Sequence, residues 1–224
     1  MSSSGDLTRE SETVTAAIEA FRHGRPVCLR DAADREGETD LVYPASAVTA
    51  DAVARLRNDA GGLICVALSD AVAAAFDLPF AQAILDHPSA IDHDLAYDDR
   101  SSFSITVNHR DTRTGITDSD RALTISELAA AAADPTGFDF AETFRSPGHV
   151  HILRAAPGLL ADREGHTELG LALAAAADCP PAVVVCEMLD DETGGALAPE
   201  RARAYADRTD TPYIEGGDLL EALA

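Results

Sequence analysis

Two continuous apolar runs, LICVAL at 63–68 and AVVV at 182–185, constrain the fold more than any other feature of the chain. A run without polar alternation fits a strand buried on both faces, which needs helices packed against the sheet. The intervening segments supply them. TADAVARLRNDA (49–60) reads as an amphipathic helix with Thr49 as N-cap and Gly61-Gly62 as its stop. After a polar tail over 1–10, Thr13 to Arg22 reads as a helix closed by Gly24 and leads into a strand PVCLRD. TDLVYPA is a second strand, and a short Ala-rich helix follows LICVAL. FSITVN alternates like a strand, and Asp118 or Ser119 caps a helix that runs to Pro135. The turn residues Ser146-Pro147-Gly148 precede a strand HVHILRA. Helix 167–177, strand AVVVCEML, helix 199–206, a short strand TPYIE and a terminal helix complete the chain. Only residues 77–100, with Pro, Asp and His but no period, read as a long irregular connection.

Strands and helices alternate from end to end with no Pro/Gly/Ser-rich linker. The expectation is one α/β (α+β) domain over residues 1–224, its helices packed on a mixed sheet.

Charge narrows the partners. The chain carries 39 acidic residues against 17 basic ones, a net charge of -22, and every basic residue is Arg. Such a surface repels nucleic acid and anionic membrane, because phosphate binding rests on a positive patch. It resembles that of a cytosolic protein of a halophile, where salt screens the self-repulsion. It also reads simply as an acidic surface. Cys28, Cys65, Cys179 and Cys186 form no CxxC pair, and three of them sit inside apolar runs, as buried thiols of a reducing compartment do. The first residues show neither a basic n-region nor an apolar h-region, and no apolar stretch approaches the roughly 20 residues that span a bilayer. A cytoplasmic protein is expected.

The tetrapeptide DREG occurs at 34–37 and again at 162–165. The first copy leads into a strand and the second into a helix, so the two are not an internal repeat. In the first stretch Glu36, Glu38 and Asp40 alternate, which places three carboxylates on one side of an extended segment. Three like charges repel unless a cation sits among them, and a hard divalent ion such as Mg²⁺ takes oxygen ligands. The stretch also reads as an exposed acidic edge. In the second, Arg163, Gly165, His166 and Thr167 open a helix whose free N–H groups and dipole suit phosphate. It also reads as an ordinary capped helix start. Glu187 ends a buried strand, where α/β sheets place their sites. His149 follows Pro147-Gly148, and Thr114-Gly115 lies in a loop before Asp120-Arg121.

Taken together these clusters resemble one family, 3,4-dihydroxy-2-butanone 4-phosphate synthase of riboflavin biosynthesis. Its R-E-x-E-x-D-x-x-x-P pattern matches Arg35, Glu36, Glu38, Asp40 and Pro44. Its glycine-to-cysteine strand matches Gly62-Leu63-Ile64-Cys65, and its T-G loop with D-R matches Thr114-Gly115 and Asp120-Arg121. The P-G-H-V turn with L-R-A matches 147–150 and 153–155, and R-x-G-H-T-E matches Arg163 and Gly165 through Glu168. C-E matches Cys186-Glu187, and A-P-E matches 198–200. The matches keep their order over about residues 25 to 200.

The resemblance implies a three-layer α/β/α sandwich around a mixed, twisted sheet, YrdC-like. It also implies a homodimer with its site close to the subunit interface. The implied activity is a lyase converting D-ribulose 5-phosphate to L-3,4-dihydroxy-2-butanone 4-phosphate and formate with Mg²⁺ or Mn²⁺. Glu36 and His166 would be the metal ligands. Asp40 and Glu187 would handle the sugar's hydroxyls and protons, with Glu38 and His166 in the same catalytic group. Arg163, Gly165, Thr167 and Thr114 would hold the phosphate, with Arg35 at the substrate and His149 nearby. Glu164 falls within the substrate-binding stretch where the family often has Gly, and its carboxylate is expected to point away from the phosphate. Ser146 replaces an Arg common before the P-G-H turn. The 77–100 connection is longer than the family's, and His87 and His93 in it are expected to be exposed. The same acid cluster and helix start also suit another Mg²⁺-dependent sugar-phosphate isomerase or aldolase. A non-catalytic nucleotide- or RNA-binding domain of the YrdC type calls for a basic face, which this Lys-free chain lacks.

Overall fold

Side-chain alternation along the central strands divides the core into two halves, one on each face of a single sheet. The computed structural model describes residues 4–32, 35–90 and 100–223, with side chains from Glu12 onward. Its strands are β1 (Val27–Arg30), β2 (Thr39–Pro44), β3 (Cys65–Leu68), β4 (Phe103–His109), β5 (Phe144–Arg154), β6 (Ala182–Val185) and β7 (Tyr213–Glu215). They form a seven-stranded sheet in the order β4-β5-β3-β6-β2-β1-β7. β3 runs parallel to β5 and β1 parallel to β7, and the other neighbours are antiparallel, so the sheet is mixed as expected. The central β3 and β6 are buried at every position, as their unbroken apolar runs require.

Val66, Leu68 and Val184 join the core under α2 (Ala50–Arg55), α5 (Asp118–Ala133) and α8 (Pro199–Thr209). Cys65, Ala67, Val183 and Val185 join the other, under α1 (Ser4–Arg22), α7 (His166–Ala176) and α9 (Gly216–Leu223). Helix α7 lies between the sheet and helices α1 and α9 and is apolar all round for that reason. Leu169 and Leu173 on it are fully or almost fully buried, each stabilising the fold by about 1.5–3 kcal/mol. At Gly170 the helix meets the sheet so closely that a Cβ would lie 3.1 Å from Val183. This seating fixes the start of α7, and with it His166.

Several boundaries differ from the sequence expectation. Helix α1 begins at Ser4 rather than Thr13, so most of the polar N-terminal stretch has helical backbone. The cap of α5 is Thr117, whose hydroxyl accepts from the Asp120 N–H; Asp118 and Ser119 are already inside the helix. Ser146-Pro147-Gly148 is not a turn before a strand but part of β5, where residues 146–149 bulge between the Asn108–Arg145 and Val107–Val150 pairs. Strand β6 stops at Val185, and Asp40–Glu187 and Gly61–Met188 then meet as isolated bridges. Among the described residues three short helices complete the set, α3 (Asp70–Ala75), α4 (Ala81–Ile84) and α6 (Phe140–Thr143), and the irregular connection contains α4 and a 3-10 turn at Pro88–Ala90. His87 is exposed there, while His93 lies outside the described residues, as does Asp34 of the first DREG. The expected Thr49 cap and Gly61 stop are present, Gly61 adopting φ +86°. All four cysteines are free; burial pushes the Cys28 thiol up to about 12 and Cys65 and Cys186 well above their ordinary value. No helix of the described residues is long and apolar enough to cross a membrane.

Candidate active site

The ends of three chain segments meet over the α7 face of the sheet: the loop from β1 into β2, the start of α7, and the residues after β6. His166 is the first residue of α7 and is buried at 6% exposure. Its Nδ1 lies 3.6 Å from Glu36 Oε2, and its Nε2 lies 3.7 Å from Asp40 Oδ1 and 4.0 Å from Asp31 Oδ1. Asp40 sits on β2, opposite Glu187 in the bridge that extends β6. A cavity of about 110 Å³ opens here, its lining including Glu36, Asp40, Arg163, His166, Thr167 and Glu187.

Two of the carboxylates, Asp31 and Glu187, are held by backbone. Asp31, at the end of β1 and almost fully buried, accepts from the N–H groups of Glu36 (3.3 Å) and Glu38 (3.1 Å) and so shapes the loop that presents both. Glu187 Oε2 accepts from the Leu63 N–H at 2.8 Å, and its carbonyl accepts from the Gly62 N–H at 3.0 Å. Only glycine fits at position 62, since a Cβ would lie 2.5 Å from both the Glu187 carbonyl oxygen and Oε2. The Gly61-Gly62 pair therefore does more than stop a helix.

Electrostatics make the cluster avid for protons. Burial and the neighbouring carboxylates of Glu187, Glu36 and Glu38 raise the Asp40 carboxyl to about 8 against the opposing pull of His166. Burial alone would lower His166, but Asp40, Glu36 and Asp31 outweigh it and raise the imidazole to about 9. The imidazole, aided by Arg163 and Arg35, holds Glu36 below the usual carboxylate range. Burial and the charges of Glu36 and Glu187 raise Glu38, which stands beside the cavity without lining it. Asp40 Oδ1 and His166 Nε2 are both buried and make no hydrogen bond among the described residues. Such atoms call for a ligand. Donor atoms of Asp31, Glu36 and His166 lie within 4.8 Å of one another, a carboxylate-imidazole set suited to a divalent cation.

Across the cavity, Gly165 is the N-cap of α7 and offers no side-chain cap, so the helix's first N–H groups stay available to an anion. Arg163 Nη1 lies 2.4 Å, and Arg35 Nη2 3.2 Å, from where a Cβ on residue 165 would sit, so two guanidiniums crowd onto this glycine. Glu168, fully buried, takes one hydrogen bond from Arg163 Nη1 at 2.7 Å and another from the Ala156 N–H at 3.0 Å. It fixes the direction of the guanidinium. Glu164 is exposed and does not line the cavity, in keeping with a carboxylate that points away, and its place among substrate-binding residues is unsupported.

The structure therefore brings together Glu36, Asp40, Arg163, His166, Thr167 and Glu187, with Arg35, Glu38 and Gly165 against them. It does not bring Thr114 or His149 to this cavity; both are exposed at the β4–β5 edge. Thr114 and Gly115 N–H groups, and the Thr114 hydroxyl, are instead held by Asp120. Sequence reasoning missed Asp31, although it ends the PVCLRD run; it placed Glu168 correctly in the first turn of α7 but missed its bond to Arg163. It also missed the wall formed by Arg100, Ser102 and Phe103, for which no motif signal exists.

Known proteins have this arrangement of sequence and fold. The pattern of 3,4-dihydroxy-2-butanone 4-phosphate synthase matches residues 15–222. The protein of that name from Methanosarcina mazei is 46% identical over 96% of this chain and 93% of its own length. That of Archaeoglobus fulgidus is 48% identical over 92% and 91%. A solved 3,4-dihydroxy-2-butanone 4-phosphate synthase in complex with two magnesium ions superposes with a TM-score of 0.80 at 31% identity, covering 94% of this chain and 95% of that one. Sequence, fold and coverage agree over almost the full length, and the chain belongs to the 3,4-dihydroxy-2-butanone 4-phosphate synthase family.

Proposed function

We infer that this protein is the lyase of riboflavin biosynthesis that converts D-ribulose 5-phosphate to L-3,4-dihydroxy-2-butanone 4-phosphate and formate. The observation that carries the reading is the pair of buried, unpartnered atoms, Asp40 Oδ1 and His166 Nε2, facing a cavity walled by Arg163. Glu36 and His166, with Asp31 beside them, would hold Mg²⁺ or Mn²⁺. When bound, the cation polarises substrate oxygens and lowers the cost of removing adjacent protons. Arg163, Thr167 and the open start of α7 anchor the substrate phosphate. Asp40, with its carboxyl near 8, both takes and returns a proton at neutral pH, and Glu187 faces the same space from the opposite strand. Because the phosphate anchor and His166 share one helix start, that element sets both ends of the substrate.

The two cores on opposite sheet faces support the three-layer α/β/α, YrdC-like description and a single catalytic domain. Thr114 and His149 are exposed outside their own chain's cavity, which supports a homodimer in which they serve the partner's cavity. The acidic, Lys-free composition supports a cytoplasmic enzyme working in high salt, without nucleic acid or membrane partners.

The test is formate release from ribulose 5-phosphate with Mg²⁺ or with EDTA, at low and high KCl. Metal-dependent formate is expected. An isomerase or aldolase would consume the sugar phosphate and release none, and that result sinks the reading.

A further inference from the structure

His149 protrudes from an irregular part of the sheet, yet one buried side chain holds it. That side chain is Asn108 on β4, 4% exposed. Its Oδ1 accepts from the His149 backbone N–H at 2.8 Å. Its Nδ2 lies 3.2 Å from His149 Nδ1, and its Oδ1 lies 3.3 Å from the same ring nitrogen. The short backbone contact decides how the amide is oriented. Turning it over would set the NH₂ group against a backbone N–H, two donors face to face. With Oδ1 aimed at the backbone N–H and Nδ2 the nearer amide atom to the ring, the NH₂ group donates to Nδ1.

The surroundings clamp this amide from two sides. On one, the 146–149 bulge packs on β4, with Gly148 N–H donating to Thr106 Oγ1 at 3.0 Å. A Cβ at Gly148 would fall 2.0 Å from the Val107 carbonyl carbon. On the other, Gly115 at φ +87° lies against Asn108, where a Cβ would stand 2.1 Å from Nδ2. The loop carrying Gly115 is tied down in turn by Asp120. Asn108 thus joins Thr114's loop to His149, two family-matched elements that lie outside the cavity.

We propose that Asn108 is a positioning residue for His149, locking the neutral imidazole in the tautomer with its hydrogen on Nε2. A donor facing Nδ1 needs a lone pair there, so the ring hydrogen goes to the opposite nitrogen. His149 then presents an N–H to an oxygen of the substrate, as a hydrogen-bond donor rather than a resting base. This role rests on the reading that His149 serves the substrate site.

The experiment uses the full chain labelled with ¹⁵N-histidine, and long-range ¹H–¹⁵N spectra of its seven histidines. The His149 signals are those lost in His149→Gln. Wild type is expected to show an unprotonated Nδ1 and a protonated Nε2. Asn108→Asp offers Nδ1 only acceptors, so Nδ1 should gain a hydrogen, with kcat for formate release falling at least about tenfold. A wild-type spectrum with hydrogen on Nδ1 overturns the proposal even if the variant does not fold, and so does a folded variant that keeps the wild-type pattern. The ring spectra need no turnover, so absence of formate from wild type would count against the assigned reaction and not against the tautomer.

Discussion

In the metal-free protein Asp40 and His166 hold protons more tightly than free groups do, and this makes stability fall as pH rises. The His166 pKa is raised from 6.5 to about 9, so its contribution is complete below about 6.5 and lost through about 9. The Asp40 carboxyl is raised from 3.8 to about 8, so its contribution has the same sign and is gone by about 8. Thermal melts in EDTA should therefore give a lower melting temperature at pH 9 than at pH 7, and His166→Asn should flatten the slope. A temperature that stays level or climbs would show that the cluster does not share protons in this way. Divalent cation should stabilise the protein more at pH 9, where fewer protons compete for the ligands. Glu168 invites a different test. Glu168→Gln keeps the shape and the Ala156 contact but removes the charge opposite Arg163, a loss of about 1–3 kcal/mol. If Arg163 holds the substrate phosphate as proposed, KM should rise about tenfold while kcat changes little. An unchanged KM would remove Arg163 from the phosphate site.

Among the elements, the turn from α2 into β3 acts at a distance from its own place in the chain. Gly62 leaves just enough room for the Glu187 carboxylate and carbonyl, so Gly62→Ala must displace them. A shift on the order of 1 Å costs about 100-fold in rate, and formate assays should show that loss while circular dichroism stays native. Activity near wild type would mean that Glu187 need not sit where Leu63 N–H holds it. This coupling marks the limit of what sequence order reveals. Glu36, Asp40, His166 and Glu187 are legible because each stands beside a strong local signal: an alternating acidic stretch, a helix start, the end of an apolar run. β3 and β6 are legible because unbroken apolar runs have few other uses. Asp31, Glu168 and Asn108 work by accepting or donating hydrogen bonds within the fold, and their partners are 5, 12 and 41 residues away in the contacts that matter most. A lone Asp, Glu or Asn carries no mark of such a partner. The 146–149 segment misleads for a related reason, since Ser-Pro-Gly is ordinary turn chemistry and only pairing with β4 turns it into a bulge.

At the scale of the whole molecule, the residues of the proposed site divide between what one chain gathers and what it leaves outside. Glu36, Asp40, His166 and Glu187 line one cavity, while His149 stands exposed on the β4–β5 edge beside the Thr114 loop. If two copies pair so that each lends this edge to the other's cavity, the two groups of residues belong to one site but to different chains. Isologous pairing makes the consequence countable. Glu36→Gln homodimers should be inactive because both cavities lack a proposed metal ligand, and His149→Gln homodimers should be crippled because both lent edges are defective. In a mixed dimer, the cavity of the His149→Gln chain keeps its own Glu36 and receives an intact His149 from the other, so one of its two sites is whole. Co-expressing the variants in equal amounts makes half the dimers mixed, and formate release should recover to roughly a quarter of wild type. Were each site built within one chain, every cavity in the mixture would carry one of the two defects and mixing would restore nothing beyond the average of the separate variants. A dilution series settles the same point independently, because activity that depends on a lent edge falls when the dimer dissociates.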